Sequence, residues 1–493
     1  MNTQVRVLSV SVKLAFGVGA VAEAVFFGMF NAFVTIFYNQ AIGLSNSLIG
    51  AAIMLALLSD AVSDPIIGIV SDRFQSRRFG RRHPFLFLAP IPIALAVYCV
   101  FNPPDVLWQN TESAAAANQW LLFTWLVGWT IVGRLFLTFY TIPHLALGGE
   151  LTREARERSR LFSYNAVFAY AAAALFSFTA WGYFLAGESV NSQGVVVPSH
   201  LNADAYGPLV FTTCGLVLCT IWICALGTFS QIPYLSAAPE KRAVLSPALF
   251  FREILSLLDN RNYRYLLLGF FGFMISVGFK ETFDTFVNTY FWELKPKDIR
   301  WFGLAGLPAV ITGAILAPKL MDTFDRKPVL IAALLSMAIF AQLPIDLRLL
   351  GVFPENHSDL LLPLLVANTA ILAFSTAIAS VAILAMLGDI TDELELSTGR
   401  RQEGLVYSAR AFFAKAANSF GHFVAGVGLD VFVHMPYDAV PGQVDQDVIV
   451  RLGIVSGPLM GIAALLAMIF YTRYALTKER HLEILKALDA RSH

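Results

Sequence analysis

Charged residues are scarce in this sequence. Asp, Glu, Lys and Arg together make up 14% of its 493 residues, whereas 57% are hydrophobic. In an ordinary soluble domain about a quarter of the residues are charged, so this composition excludes an ordinary soluble domain. The formal net charge is zero, which argues against nucleic acid as a partner. The composition indicates instead a polytopic membrane protein that lies in the lipid bilayer.

Cysteine is scarce as well. The four cysteines lie in apolar stretches and form no CxxC pair: Cys99, Cys214, Cys219 and Cys224. We therefore expect buried free thiols, without a disulfide framework or a cysteine metal site. No short apolar core with a small-residue cleavage site follows Arg6 and Lys13, so we expect the first helix to stay in the membrane.

Long apolar runs are abundant. Runs of about 20 residues can cross a bilayer as helices. They predict twelve spans, near 14–38, 47–70, 83–102, 119–147, 161–186, 208–233, 263–291, 300–320, 328–346, 361–387, 405–433 and 449–472. Most Lys and Arg residues fall in loops that lie inside when the N-terminus is cytoplasmic, so the positive-inside rule puts both termini in the cytoplasm. We expect an all-α monomer in the cell (inner) membrane.

A long connection divides the predicted spans into six and six. We predict helical halves at 1–233 and 263–472, an amphipathic cytoplasmic linker at 234–262, and a cytoplasmic tail at 473–493. The loops after spans 2 and 8, SDRFQSRRFGRRHP and MDTFDRKP, are similar, as an internal duplication requires. Together these features predict the major facilitator plan of two pseudo-symmetric halves. We expect the tail to be a solvated amphipathic helix with no role in transport.

Two carboxylates lie in the middle of span 2. Asp60 and Asp64 are four residues apart, so a helix puts both on one face. Like charges in hydrocarbon are costly unless a cation lies beside them. Pro65 frees the carbonyl of Ala61, which adds an oxygen ligand to that of the Ser63 hydroxyl. We predict a site for a coupling cation, Na⁺ or H⁺; the alternative is a structural network that ties helices together.

Lys415 lies in the middle of span 11, with no acid on its own helix face within one turn. A lone ammonium there needs a counter-charge from another helix, and Asp60 and Asp64 are the candidates. If the cation and Lys415 compete for these carboxylates, the exchange acts as a conformational switch. The alternative is that Lys415 snorkels to the membrane interface.

Other polar residues within the spans are weaker candidates. Lys280 and Asp284 in span 7 are four residues apart and can satisfy each other. Arg134 in span 4 is a weak case. Substrate-cavity candidates are Glu23, Glu281, Asn288, Arg410 and Asn418. At the inner ends of the spans we predict a gate of charges made by Asp72, Arg73, Arg81, Arg326, Asp389 and Asp392.

Four stretches resemble a known family. DAVSDPIIG, ERSRLFSY, MLGDITDELE and YSARAFFAK are similar to the glycoside–pentoside–hexuronide cation symporters, the family of the melibiose carrier, and to its relatives that import lysophospholipids with sodium. The resemblance implies alternating access coupled to Na⁺ (or H⁺), with no other cofactor. It also implies cation ligands at Asp60, Ser63, Asp64 and Thr138, and links Lys415 to that site.

The positions that hold sugar in the melibiose carrier differ in this chain. They are occupied by Ala24, Thr141, Leu145, Ala166 and Ser380, so Thr141 joins the substrate-cavity candidates. A galactoside would lose nearly all its hydrogen-bonding partners. We therefore expect a small amphipathic solute, with a slight preference for a lysophospholipid; the alternative is a glycoside or oligosaccharide. An integral-membrane transferase is a distant alternative, because no nucleophile and base have suitable spacing.

Overall fold

The structure, a computed structural model, describes residues 8–108, 115–152, 154–190, 194–235, 252, 254–400 and 402–492. In this part of the chain twelve helices are long and apolar enough to cross a membrane. In chain order, spans 1 to 12 are Val10–Ile42, Asn46–Arg73, His83–Val100, Asn118–Leu151, Arg156–Phe184, Ala203–Phe229, Arg261–Phe291, Pro296–Phe324, Arg326–Leu349, Leu361–Thr398, Glu403–Val433 and Gln446–Thr472. The twelve predicted spans are confirmed.

Local sequence sets where several spans begin and end. The Ser45 hydroxyl accepts a hydrogen bond from the backbone N–H of Leu48 at the start of span 2 (3.4 Å). Asn260 does the same for Tyr263 at the start of span 7 (2.8 Å). Span 10 continues to Thr398, well past its predicted end, because the helix extends through a polar final segment until Gly399 adopts a left-handed conformation (φ 68°).

Spans 1, 5, 7 and 11 each end in a π-helical turn. The four turns are Phe37–Ile42, Ala180–Phe184, Val287–Phe291 and Gly428–Val433. Spans 1 and 7 open the two predicted halves, and spans 5 and 11 are the fifth in each. The same irregularity therefore recurs at matched positions, as an internal duplication predicts. Span 12 contains a further π turn at Val455–Leu459.

A short hairpin lies between spans 5 and 6. Strand β1 (Glu188–Val190) pairs antiparallel with strand β2 (Val196–Pro198). His200 lies two residues after β2 and is fully buried, with its ring edge-on to Trp181 at 5.2 Å between centroids. The Tyr206 hydroxyl donates to the His200 carbonyl (2.7 Å). Burial lowers the pKa of His200 to about 3, so its imidazole stays neutral at physiological pH.

The chain forms two compact units. The first comprises Met1–Lys241, Leu294–Gly303 and Phe423–Val444, and the second comprises Arg242–Glu293, Leu304–His422 and Asp445–His493. Aromatic rings pack in the first unit, among them Phe26, Phe30, Phe33, Phe37 and Tyr206. The second unit has a cluster of buried side chains that includes Tyr263, Leu266, Leu330, Met386 and Ile390. Most of the predicted amphipathic linker, 236–251 and 253, lies outside the described residues.

Two expectations need correction. The cysteines are free, but Cys219 is exposed, because an apolar helix has such residues on its outer face as well as its packed face. The C-terminal tail forms the predicted helix, Lys478–Ser492, yet this helix is docked onto the second unit. Ile484 is buried in the same cluster as Ile390, and the imidazole Nε2 of His481 lies 2.9 Å from Asp392 Oδ2. The tail is therefore packed against span 10 and is not simply solvated.

Candidate functional site

Spans 2 and 4 bring together a ladder of polar side chains in the first unit. Arg134 donates to Asp60 Oδ2 from Nε (3.0 Å) and from Nη2 (2.6 Å). One helical turn further along both helices, the Thr138 hydroxyl donates to Asp64 Oδ1 (2.9 Å). The two pairs match because both helices place residues four apart on one face. The carboxylates predicted to share a face therefore both meet span 4.

Arg134 is the partner that sequence reasoning undervalued. Asp60 is 3% exposed and Arg134 is 7% exposed, so the ion pair is buried. The guanidinium also lies 5.3 Å from the centroid of the Phe27 ring. The prediction looked for a counter-charge from Lys415, whereas span 4 provides one. The available signal was the equal spacing of positions 60 and 64 and of positions 134 and 138.

The predicted cation ligands all belong to the first unit. Besides Asp60, Asp64 and Thr138, they include Ser63, whose hydroxyl donates weakly to the backbone carbonyl of Asp60 (3.4 Å). Carboxylate and hydroxyl oxygens are ligands that suit a hard cation. Within the described ranges, no group of three or more His, Cys, Asp or Glu side chains could hold a metal ion. The chemistry of this set is thus that of a carboxylate pair supplemented by hydroxyls.

The other predicted site residues are divided between the units. Glu23 and Thr141 are partly buried in the first unit. Lys415 is partly buried in the second, and its predicted exchange with Asp60 and Asp64 stays a prediction. Asn288 lies in the π turn that ends span 7. These placements leave the roles of all four as predictions.

A cavity of about 200 Å³ lies in the second unit, bordered by spans 7, 9, 10 and 12. Its polar lining includes Lys280, Glu281, Asp284, Gln342 and Thr376. Lys280 and Asp284 form an ion pair, as their spacing predicted. Their charges offset each other, which leaves Glu281 as the additional carboxylate in the cavity wall.

Two residues of span 11 contact the carboxylate of Glu281. The Asn418 amide donates to Glu281 Oε2 (3.4 Å), and His422 Nε2 lies 3.2 Å from the same oxygen. Sequence analysis gave His422 no role, although it lies four residues after Asn418 on the same helix face. Arg410 has a different surrounding, since its guanidinium carbon lies 4.8 Å from the centroid of the Phe270 ring.

Arg82 holds together the charges after span 2. Its guanidinium donates to Ser71 Oγ (2.8 Å), to Asp72 Oδ1 (2.6 Å) and to Glu150 Oε1 (2.7 Å). Arg81 also donates to Glu150 Oε1 (2.6 Å). Asp72 and Arg81 were predicted here, whereas Arg82 and Glu150 were not. Arg73, the third predicted residue of this loop, is exposed.

The second unit has a comparable network after span 8. Arg326 Nη1 lies 2.8 Å from Asp389 Oδ2, so two predicted gate residues form an ion pair. The Oδ2 atom of Asp392 lies 2.9 Å from the Nε2 atom of His481 in the tail helix. Glu393 accepts hydrogen bonds from Asn262 (3.0 and 3.1 Å). The similar loops after spans 2 and 8 therefore both contribute arginines that bind acids of a neighbouring span.

The chain is similar to transporters along nearly its whole length. The family described as MFS/sugar transport protein matches residues 15–478. The uncharacterized symporter YnaJ of Bacillus subtilis (strain 168) is 25% identical over 498 residues, covering 100% of this chain and 97% of that protein. The putative glycoside/cation symporter YagG of Escherichia coli (strain K12) is 24% identical over 437 residues, covering 85% of this chain and 82% of that protein.

A solved structure shows the same architecture. The crystal structure of a D-xylose-proton symporter matches with a TM-score of 0.63 at 16% identity, covering 94% of this chain and 98% of that chain. Identity this low is informative about the fold alone. Together with the family match, it confirms the predicted major facilitator fold.

Proposed function

The chain belongs to the MFS/sugar transport protein family, and on this basis we propose that it is a cation-coupled symporter that imports a glycoside. It is a membrane transporter and not an enzyme. The observation that carries the cation part of the proposal is the ladder formed by Asp60 and Asp64 with Arg134 and Thr138, in which the Asp60–Arg134 pair is buried. Intramembrane carboxylates are costly and are typical of ion pathways.

The coupling ion would bind at Asp64, Thr138 and Ser63, beside the Asp60–Arg134 pair. In the structure the Thr138 hydroxyl directs its proton to Asp64. When Na⁺ binds, the hydroxyl turns its proton away and offers its oxygen to the ion, while Asp64 supplies the negative charge. A proton would instead bind directly to a carboxylate oxygen. Either cation lowers the negative charge of the ladder.

A glycoside is favoured over a lysophospholipid as the substrate. Support comes from the relative named as a putative glycoside/cation symporter and from the family description. The second-unit cavity also suits a sugar, because Glu281, Gln342 and Thr376 supply hydrogen-bonding groups in a mostly apolar wall. We therefore replace the lipid preference drawn from the sequence with its glycoside alternative.

Uptake into proteoliposomes tests both parts. Vesicles are loaded with an imposed Na⁺ gradient or an imposed pH gradient, and uptake of labelled glycosides is compared with that of labelled lysophosphatidylethanolamine. We expect gradient-driven glycoside uptake that Asp64→Asn abolishes, whereas Asp105→Asn, in an exposed turn, leaves it unchanged. Lysolipid uptake without glycoside uptake would overturn the substrate assignment. Unchanged coupling in Asp64→Asn would overturn the cation site.

A further inference from the structure

Spans 7 and 11 approach closely at two glycines. A Cβ atom at Gly278 would lie 2.1 Å from the backbone oxygen of Asn418, and one at Gly421 would lie 2.2 Å from the backbone oxygen of Ile275. Only glycine fits at such backbone contacts. The approach places His422, the residue after Gly421, directly against span 7.

His422 is enclosed by hydrogen-bonding groups of span 7. It is 4% exposed. Its Nδ1 lies 2.7 Å from Thr282 Oγ1, and its Nε2 lies 3.2 Å from Glu281 Oε2. The Thr282 hydroxyl has a second neighbour, the carbonyl oxygen of Gly278 at 3.3 Å. Both imidazole nitrogens are therefore engaged, and one of their partners is a hydroxyl that can rotate.

We propose that His422, Glu281 and Thr282 form a proton-binding site in the second unit, separate from Asp60 and Asp64. With neutral His422, Nε2–H donates to the Glu281 carboxylate, and Nδ1 accepts the Thr282 hydroxyl proton. An added proton binds to Nδ1. Nδ1–H then donates to Thr282 Oγ1, whose own proton turns to the Gly278 carbonyl. The site therefore gains a proton without losing a hydrogen bond.

The surrounding charges favour this proton. On span 7, Lys280 and Asp284 form their own ion pair, so Glu281 supplies the charge that faces the imidazolium. On span 11, Asn418 is neutral, and Lys415 lies two turns before His422 on the same face. Among the described cavity residues, spans 9, 10 and 12 contribute uncharged polar groups: Gln342, Thr376, Ser456 and Tyr471. The Glu281 carboxylate is therefore the charge that balances the imidazolium.

Proton binding changes the charge of the cavity. Because Glu281 lines the cavity, its negative charge acts on any solute there while His422 is neutral. When His422 is protonated, the pair is neutral overall, and an anionic solute is no longer repelled. The meaning of this change for transport rests on the proposed function, but the existence of the proton site does not.

Histidine NMR tests the site without a substrate. Purified full-length protein in detergent is labelled with ¹⁵N at histidine and titrated between about pH 5 and 8, the range in which histidine ordinarily changes charge. The His422 signals are those lost in His422→Gln. We expect them to titrate, and we expect Glu281→Gln to weaken proton binding about tenfold by removing the facing carboxylate. If His422→Gln does not fold, the signal displaced in Glu281→Gln identifies the residue.

An exposed histidine–carboxylate pair provides the control. His357 Nε2 lies 3.2 Å from Glu293 Oε2 on the protein surface. Glu293→Gln should leave the His422 signals unmoved. His422 signals that stay in the neutral form throughout, or that titrate identically in wild type and Glu281→Gln, would overturn the proposal. If the wild-type protein shows the proton titration but takes up no glycoside, that result counts against the proposed function alone.

Discussion

Arg134 donates two hydrogen bonds to a single oxygen of Asp60, from Nε at 3.0 Å and from Nη2 at 2.6 Å. Both side chains are largely removed from solvent. Breaking a buried ion pair by removing one member costs about 3–5 kcal/mol, because the other charge stays buried with less compensation. Removing either member is therefore expected to destabilise the fold around the proposed cation site.

A double-mutant cycle measures this coupling. We expect Arg134→Met and Asp60→Asn each to lower the apparent melting temperature in detergent. The double variant should lose less than the sum of the two, with a coupling of about 1–3 kcal/mol. Arg73→Met is the control, since Arg73 is exposed, and it should change stability by less than about 0.5 kcal/mol. Strictly additive losses would contradict a direct Asp60–Arg134 interaction.

Thr138 tests the cation site without altering a charge. Thr138→Val keeps the side-chain shape but removes the hydroxyl that contacts Asp64. We expect the cation concentration for half-maximal glycoside uptake to rise about tenfold, because the ion loses one oxygen ligand, a loss similar in size to that of one hydrogen bond to a charged group. The control is Thr124→Val on the same span, whose exposed hydroxyl bonds only within the helix. An equal change in both variants would argue against a role specific to Thr138.

The Asp60–Asp64 pair was predictable from sequence because its signal is local. Two acids four residues apart within an apolar run need only a helix to share a face. Which residues of span 4 face Asp60 and Asp64 depends on the axial position of span 2 relative to span 4. No local sequence pattern specifies that position, so such a pattern could not identify Arg134 and Thr138 as the partners. The same limitation hid His422, whose partners Glu281 and Thr282 lie about 140 positions earlier in the sequence.

The twelve spans were predictable because length and hydropathy decide them, and so was the Lys280–Asp284 pair within one helix. The docking of the tail helix could not be predicted from the sequence. Its apolar stripe is equally consistent with a membrane surface, with solvent or with a protein face. Only the position of Asp392 and the cluster around Ile390 distinguishes these outcomes.

The tail helix offers a matched pair of residues. Ile484 is 3% exposed, whereas Leu482, two residues earlier, is 50% exposed. We expect Ile484→Ala to destabilise the protein by about 2–4 kcal/mol, because it opens a cavity in the second-unit cluster. Leu482→Ala should cost less than about 0.5 kcal/mol. Thermal unfolding in detergent measures both. Equal effects would show that the tail is not docked in solution.

A substitution of Arg82 can separate the effect of side-chain geometry from that of side-chain charge. Its planar guanidinium contacts Ser71, Asp72 and Glu150 at once, which a lysine ammonium cannot reproduce. We expect Arg82→Lys to lower the free energy of unfolding by about 2 kcal/mol despite the retained charge. Arg73→Lys is the charge-matched control at an exposed position of the same loop. A silent Arg82→Lys would mean that charge alone maintains the network.

His200 predicts how stability depends on pH. Its pKa is lowered by burial from 6.5 to about 3 in the folded protein. As the pH falls below 6.5, His200 of the unfolded chain takes up a proton, whereas His200 of the folded protein stays neutral until the pH approaches about 3. The free energy of unfolding therefore decreases by about 1.4 kcal/mol per pH unit within this window, and this contribution is absent above it.

His200→Gln removes the titrating group, so its apparent melting temperature should fall less steeply than that of wild type between about pH 6 and 4. The variant is expected to lose some stability at pH 7, because the buried ring packs against Trp181. His357→Gln, at an exposed position, serves as the control and should keep the wild-type slope. If the slopes of wild type and His200→Gln coincide, the imidazole of His200 is not the buried neutral group described above. Its burial would then not explain any acid sensitivity of the fold.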